Sequence, residues 1–189
     1  MTEFADAFRQ VSRNMAAVAD SEYPAAIERA TQLLVACFSA GGKLVAFGNG
    51  GSSADAQHLT AELVGRFAVE RRPLPAIALT TNQAILTAWS NDYSFEDVFA
   101  RQVEALGQPG DVAIGISTSG ASPNVLAALL KARERGLRTV GLTGRSGGRM
   151  RELCDVLLAA PVDGTARIQE VHLVTYHSIC AALEQRLFR

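Results

Sequence analysis

Two apolar runs in this chain each break into a loop of small residues and then into a helix. Leu44-Val45-Ala46-Phe47 leads into Gly48-Asn49-Gly50-Gly51-Ser52-Ser53. Asp111-Val112-Ala113-Ile114-Gly115-Ile116 leads into Ser117-Thr118-Ser119-Gly120-Ala121-Ser122, and Pro123 opens the helix that follows. Short apolar runs without alternation suit strands buried on both faces, which parallel sheets covered by helices provide. Further runs at Ala76–Leu79, Thr139–Leu142 and Val156–Leu158 predict more strands, and helical segments are expected near 82–91, 94–106, 123–135 and 166–187. This alternation predicts an α/β fold with a parallel sheet. In such sheets ligands bind beyond the carboxyl ends of the strands, where both small-residue loops fall.

The first forty residues read differently. Phe4, Phe8, Val11, Met15 and Val18 form one apolar stripe at helical spacing, Pro24 suits the first turn of a second helix, and Gly41-Gly42 ends it. Residues 1–40 are therefore expected to form a helical hairpin that packs on the body (41–189) or on another subunit. A length of 189 residues suits one domain. Apolar content of 48% with 20% charged residues excludes a disordered chain. No apolar run approaches the ~20 residues of a membrane span. A net charge of −1 argues against nucleic-acid binding by bulk charge. The acidic start is unlike a signal peptide. Cys37, Cys154 and Cys180 form no CxxC pair and read as core thiols of a cytoplasmic protein.

The two loops invite an anion. Residues 48–53 begin like a dinucleotide fingerprint but have Ser53 where a third glycine would stand, and no Gly-Lys-Ser/Thr follows. They read either as a glycine turn with Ser52 as helix cap or as an anion site. Ser117, Thr118, Ser119 and Ser122 place four hydroxyls at a helix N-terminus, which favours a phosphate held by dipoles. His58 and Glu62, at i and i+4, share a helix face. They can chelate a divalent metal or form a surface ion pair. Gln169, His172 and His177 lie on the last helix, and Arg66 follows Glu62 by one turn. His172, between Val171 and Leu173, is assigned to no site.

Taken in order, these motifs resemble the phosphoheptose isomerases, which are sugar isomerase (SIS) domain proteins. The resemblance rests on Gly48-Asn49-Gly50-Gly51-Ser52, Asp55-Ala56-Gln57-His58 with Glu62, Ser117-Thr118-Ser119-Gly120 with Ser122, and Arg167-Ile168-Gln169-Glu170 with His177. It implies a three-layer α/β/α sandwich around a five-stranded parallel sheet, and a homotetramer with sites at subunit interfaces. It implies interconversion of sedoheptulose 7-phosphate and D-glycero-D-manno-heptose 7-phosphate, the first step towards ADP-heptose for lipopolysaccharide or other heptose glycans. By resemblance Glu62 and His177 are the acid/base pair, and His58, Glu62, Gln169 and His177 hold zinc. Asn49, Gly50, Gly51, Ser52, Glu62, Arg66, Asp92, Ser117, Thr118, Ser119, Ser122 and Gln169 are the expected substrate contacts. Gln169 and His177 lie roughly 12 Å apart along a straight helix, so both reach one ion only if their side chains lean together. The alternative is a related SIS adaptor that binds the bacterial replication initiator without catalysis; that family lacks the active glutamate and second histidine, and this chain has both.

Overall fold

A computed structural model describes residues 2–189. Five strands form one all-parallel sheet in the order β2-β1-β3-β4-β5. They are β1 (Leu44–Gly48), β2 (Ala76–Ala78), β3 (Val112–Ser117), β4 (Arg138–Gly144) and β5 (Val156–Ala160). The helices are α1 (Glu3–Ala19), α2 (Tyr23–Ser39), α3 (Gly51–Val64), α4 (Gln83–Asp92), α5 (Val98–Leu106), α6 (Pro123–Glu134) and α7 (Thr165–Phe188).

The strands alternate their side chains between two cores, as pleating requires. Leu44, Ala46, Val112, Ile114 and Ile116 meet α2, α3 and α7 on one face. Val45, Phe47 and Ala113 meet α5 and α6 on the other. Both faces are covered, so every residue of β1 and β3 is buried, and the expected three-layer sandwich is the observed one. Each wholly buried leucine or phenylalanine here contributes roughly 1.5–3 kcal/mol.

The two N-terminal helices are used unequally. Helix α2, with Pro24 in its first turn, buries Ala30 and Leu34 completely in the core shared with β1 and α7. Helix α1 buries only Val18, while Phe4 and Phe8 stay 70% and 78% exposed.

The sheet order places the loops. The side on which successive strands are added reverses at β1, with β2 on one side of it and β3 on the other. Gly48 pairs with Ile116, so the loops after β1 and β3 leave the same edge side by side, at the switch point of the sheet.

Candidate active site

Close backbone approach shapes both loops. A Cβ on Gly48 would strike the carbonyl of Ile116 and Ser52, so glycine lets β1 turn tightly into α3 beside β3. Gly120 has φ +65°, and a Cβ there would strike the backbone of Gly147. Across the switch point the amides of Asn49 and Asn124 bond reciprocally at 2.8 and 2.9 Å. In the serine loop, Ser117 Oγ lies 2.9 Å from Ser122 Oγ and 3.3 Å from Ser119 Oγ. Ser122 stands at the N-cap of α6 without capping it, because its hydroxyl turns into this cluster. Helix α3 likewise starts without a side-chain cap, behind Gly50 at φ 55°. Two uncapped helix N-termini at one sheet edge, with clustered hydroxyls, can hold an anion without a fixed cation.

Helices α3 and α7 lie side by side and run the same way. A Cβ at Gly51, at the start of α3, would collide with the amide of Gln169. Farther along, His58 Nε2 lies 3.0 Å from Glu62 Oε1 and 3.5 Å from His177 Nε2. Ligand atoms of these three residues all fall within 4.8 Å of one another. Two imidazoles and a carboxylate at this closeness suit zinc, with a position left for substrate or water. Burial, then the neighbouring His58, push the His177 pKa below its ordinary value, against a smaller upward pull from Glu62. His177 is thus neutral, and able to take a proton, at neutral pH.

Behind the cluster, the Tyr176 hydroxyl lies 3.0 Å from His58 Nδ1 and 3.5 Å from Asp55 Oδ1. Burial raises the Asp55 pKa, and the Tyr176 hydrogen bond and His58 oppose it. Farther along α7, Glu184 accepts the backbone N–H groups of Phe67, Ala68 and Val69 at 2.9–3.0 Å. It also pairs with Arg71 at 3.0 Å. Arg71 in turn donates to the carbonyls of Glu62, Leu63 and Gly65, satisfying the C-terminus of α3. Burial would lift the Glu184 pKa, but these donors hold it below the ordinary range. One buried ion pair thereby locks the end of α3, which carries Glu62, to α7, which carries His177.

The structure brings His58, Glu62 and His177 together, as the resemblance implies, and sets Asn49 beside Ser122 in one cavity of about 340 Å³ with Ser94 and Glu96. It places Gln169 at the glycine loop. Ser52 does not cap α3; Gly50 holds that place and Ser52 is buried in the first turn. Arg66 lies beyond the end of α3 at Val64, so it does not stand one turn above Glu62; its ion-pair partner is Glu70 at 3.6 Å. Asp92 ends α4, exposed, and accepts a hydrogen bond from Asn91. His172 is wholly buried; its Nε2–H donates to the Thr143 carbonyl, and burial pushes its pKa down to about 4. Burial raises all three thiols, as core cysteines require. Asn124, Tyr176 and the Arg71–Glu184 pair were not singled out from the sequence. Helical spacing relates neighbours on one helix, and these residues act across elements.

Comparison with known proteins finds relatives over most of the chain. The SIS domain family model matches residues 7–144. The phosphoheptose isomerase of Geotalea daltonii is 58% identical over 162 residues, covering 86% of this chain and 84% of that protein. That of Burkholderia pseudomallei is 49% identical over 189 residues, covering 100% and 96%. The solved structure of the Neisseria gonorrhoeae phosphoheptose isomerase superposes with a TM-score of 0.91 at 42% identity, covering 96% of this chain and 97% of that one. The sugar isomerase domain of a transcription factor from Sphaerobacter thermophilus, at 22% identity and a TM-score of 0.69, shares the fold alone. None of this supports the adaptor alternative. With its switch-point loops, its His–Glu–His cluster and relatives matched over nearly their full length, the chain belongs to the phosphoheptose isomerase family of SIS-domain proteins.

Proposed function

We propose that this protein interconverts sedoheptulose 7-phosphate and D-glycero-D-manno-heptose 7-phosphate, at the entry to heptose glycan synthesis such as that of lipopolysaccharide. The observation that carries the reading is the convergence of Glu62 and His177 on one exposed seam of a fold with a cation-free phosphate cradle. An aldose–ketose isomerase moves a proton between adjacent carbons through an enediol, and needs a base at carbon and a proton exchanger at oxygen. Glu62 is the base. Neutral His177 exchanges the proton at oxygen. Ser117, Thr118, Ser119 and Ser122, with the backbone of Gly50, Gly51 and Ser52, bind the phosphate. Asn49 and Gln169 meet the sugar, and Arg66 and Asp92 are assigned as further contacts.

His58, Glu62 and His177 would hold zinc, which when bound polarises the substrate oxygens as a Lewis acid. Gln169, whose side chain lies against the start of α3 at Gly51, is assigned both as a sugar contact and as the fourth zinc ligand. Assembly into a homotetramer, with residues 1–40 serving assembly and 41–189 the sugar-phosphate site, is supported by exposed Phe4 and Phe8 and by α4, which has no buried residue. Among the described residues no helix is long and apolar enough to cross a membrane; with three free thiols, a cytoplasmic location is the natural reading.

The test is isomerisation of sedoheptulose 7-phosphate followed by NMR in the zinc-replete protein. Glu62→Gln and His177→Gln should each lower turnover by roughly 100-fold or more, with zinc content measured alongside. Near-normal turnover in either folded variant removes that residue from the mechanism, and an inactive wild type refutes the substrate.

A further inference from the structure

We infer that Asn124 is a positioning residue of the proposed phosphate cradle: it clasps Asn49 in one orientation, and it takes the first-turn N–H of α6 that Ser122 would otherwise cap, which frees the Ser122 hydroxyl for phosphate. This rests on the sugar-phosphate reading above, and two of the measurements that test it need no sugar.

Asn124 is the second residue of α6 and is 2% exposed. Its Oδ1 accepts from Asn49 Nδ2 at 2.8 Å and from the backbone N–H of Val125 at 3.0 Å, while its Nδ2 donates to Asn49 Oδ1 at 2.9 Å. The Val125 contact settles the orientation of both amides. Turned over, Asn124 would set its NH2 against the Val125 N–H, donor against donor, and Asn49 would have to turn with it. Burial keeps water from competing for these bonds. The clasp ties the loop after β1 to the start of α6, 75 residues farther along the chain. It uses one of the two N–H bonds of the Asn49 amide and one of the two lone pairs on its oxygen. The others are thereby fixed in direction at the wall of the cavity that Asn49 shares with Ser122.

The second effect falls on Ser122. A serine at an N-cap ordinarily accepts the N–H of the second or third helical residue, and in α6 those are Asn124 and Val125. Here the Val125 N–H goes to the Asn124 side chain. Ser122 makes no capping bond, and its Oγ lies 2.9 Å from Ser117 Oγ. An ordinary cap would draw that hydroxyl back over the helix end and out of the serine cluster. Asn124 meets the need of the helix from within, and Ser122 is released to the loop.

The test uses Asn124→Ala, with Asn124→Leu, which keeps the branched outline without its polar atoms, should the alanine variant fail to fold. Three quantities are measured: KM and kcat for sedoheptulose 7-phosphate, affinity for inorganic phosphate by calorimetry, and solvent exchange of asparagine side-chain protons in 15N-labelled protein. KM should rise roughly tenfold or more, with phosphate affinity falling in step and kcat nearly unchanged, because Glu62 and His177 lie on other helices. A merely structural role would lower kcat with the share of folded protein and leave KM alone. The clasped Nδ2 proton of Asn49 should exchange slowly in the wild type and quickly in the variant. With Asn124 gone, Ser122 returns to capping Val125, so Ser122→Ala should cost less phosphate affinity in the variant than in the wild type. Wild-type phosphate affinity in a folded variant overturns the inference. So do equal costs of Ser122→Ala in the two backgrounds, or a freely exchanging Asn49 amide in the wild type. If the wild type binds inorganic phosphate but does not isomerise the sugar, the substrate reading fails alone and these outcomes still decide this one. A wild type that binds no phosphate overturns both.

Discussion

His172 is the one histidine outside the cluster, and its burial ties one ring to acid stability. Its pKa falls from 6.5 to about 4 on folding, chiefly because burial disfavours the cation. Above the unfolded value both states are neutral, and the group contributes no pH dependence. As pH falls from about 6.5 towards 4 the unfolded chain takes up a proton that the folded chain refuses, so stability is lost, by about 3 kcal/mol over the full window. Urea melts at pH 7, 5 and 4 should show this loss, and His172→Gln should lack that part of it. The serine loop, proposed to hold phosphate, offers a second test at this scale. Ser119→Ala with Ser122→Ala removes two hydroxyls from the serine cluster and should raise the KM for sugar phosphate at least tenfold, since a hydrogen bond to a charged group contributes about 1.5–3 kcal/mol. Unchanged KM would place the phosphate elsewhere. The serine hydroxyls were legible in the sequence because they lie in one short run, whereas the pairing of Glu62 with His177 came only through the family resemblance, since the two sit on different helices. Tyr176 was not: in an apolar helix a tyrosine reads as core, and only the docking of α3 on α7 brings its hydroxyl to His58. Arg66 failed for a related reason. The periodicity of α3 was extended past Val64, where Gly65 and the Arg71 guanidinium end it.

At the scale of elements, the pairing of α3 with α7 is what holds the cluster. The two helices touch along their length, from Gln169 on Gly51 to Glu184 at residues 67–69. The far contact is a buried ion pair whose side chains are 1% and 3% exposed. Removing one partner leaves the other charge buried and unpaired, a loss of about 3–5 kcal/mol. Glu184→Gln should therefore lower stability by that order in denaturant melts, and should also weaken zinc binding, because the end of α3 that carries Glu62 loses its tie to α7. Lowered stability with unaltered zinc affinity would separate the frame from the site. Sequence reading located α7 closely, expected over 166–187 and observed over Thr165–Phe188, and ran α3 past its end at Val64. It could not show that they lie parallel and adjacent, since that follows from the order of the strands between them.

For the molecule as a whole, exposed apolar surface remains to be covered. Phe4 and Phe8 project from α1 at 70% and 78% exposure, and Tyr93 and Phe95 at 71% and 55% flank the end of α4. Replacing Phe4 and Phe8 together by serine should lower the mass seen by light scattering while leaving the monomer fold intact, because neither side chain enters the core. A native-sized assembly in that variant would free α1 of the role. The strand count and the parallel class were legible from apolar runs, but the order β2-β1-β3-β4-β5 was not, because pairing partners are distant in sequence. That distance also sets a timetable. The residues proposed to bind phosphate have all been synthesised by Asn124, but the proposed reacting cluster only at His177, 53 residues later. At roughly 5–20 residues per second, ribosomal synthesis separates the two by about 3–10 s. On the proposed function, a nascent chain therefore carries its phosphate-binding residues before its reacting pair, and turnover starts only after α7 has left the ribosome and closed against α3.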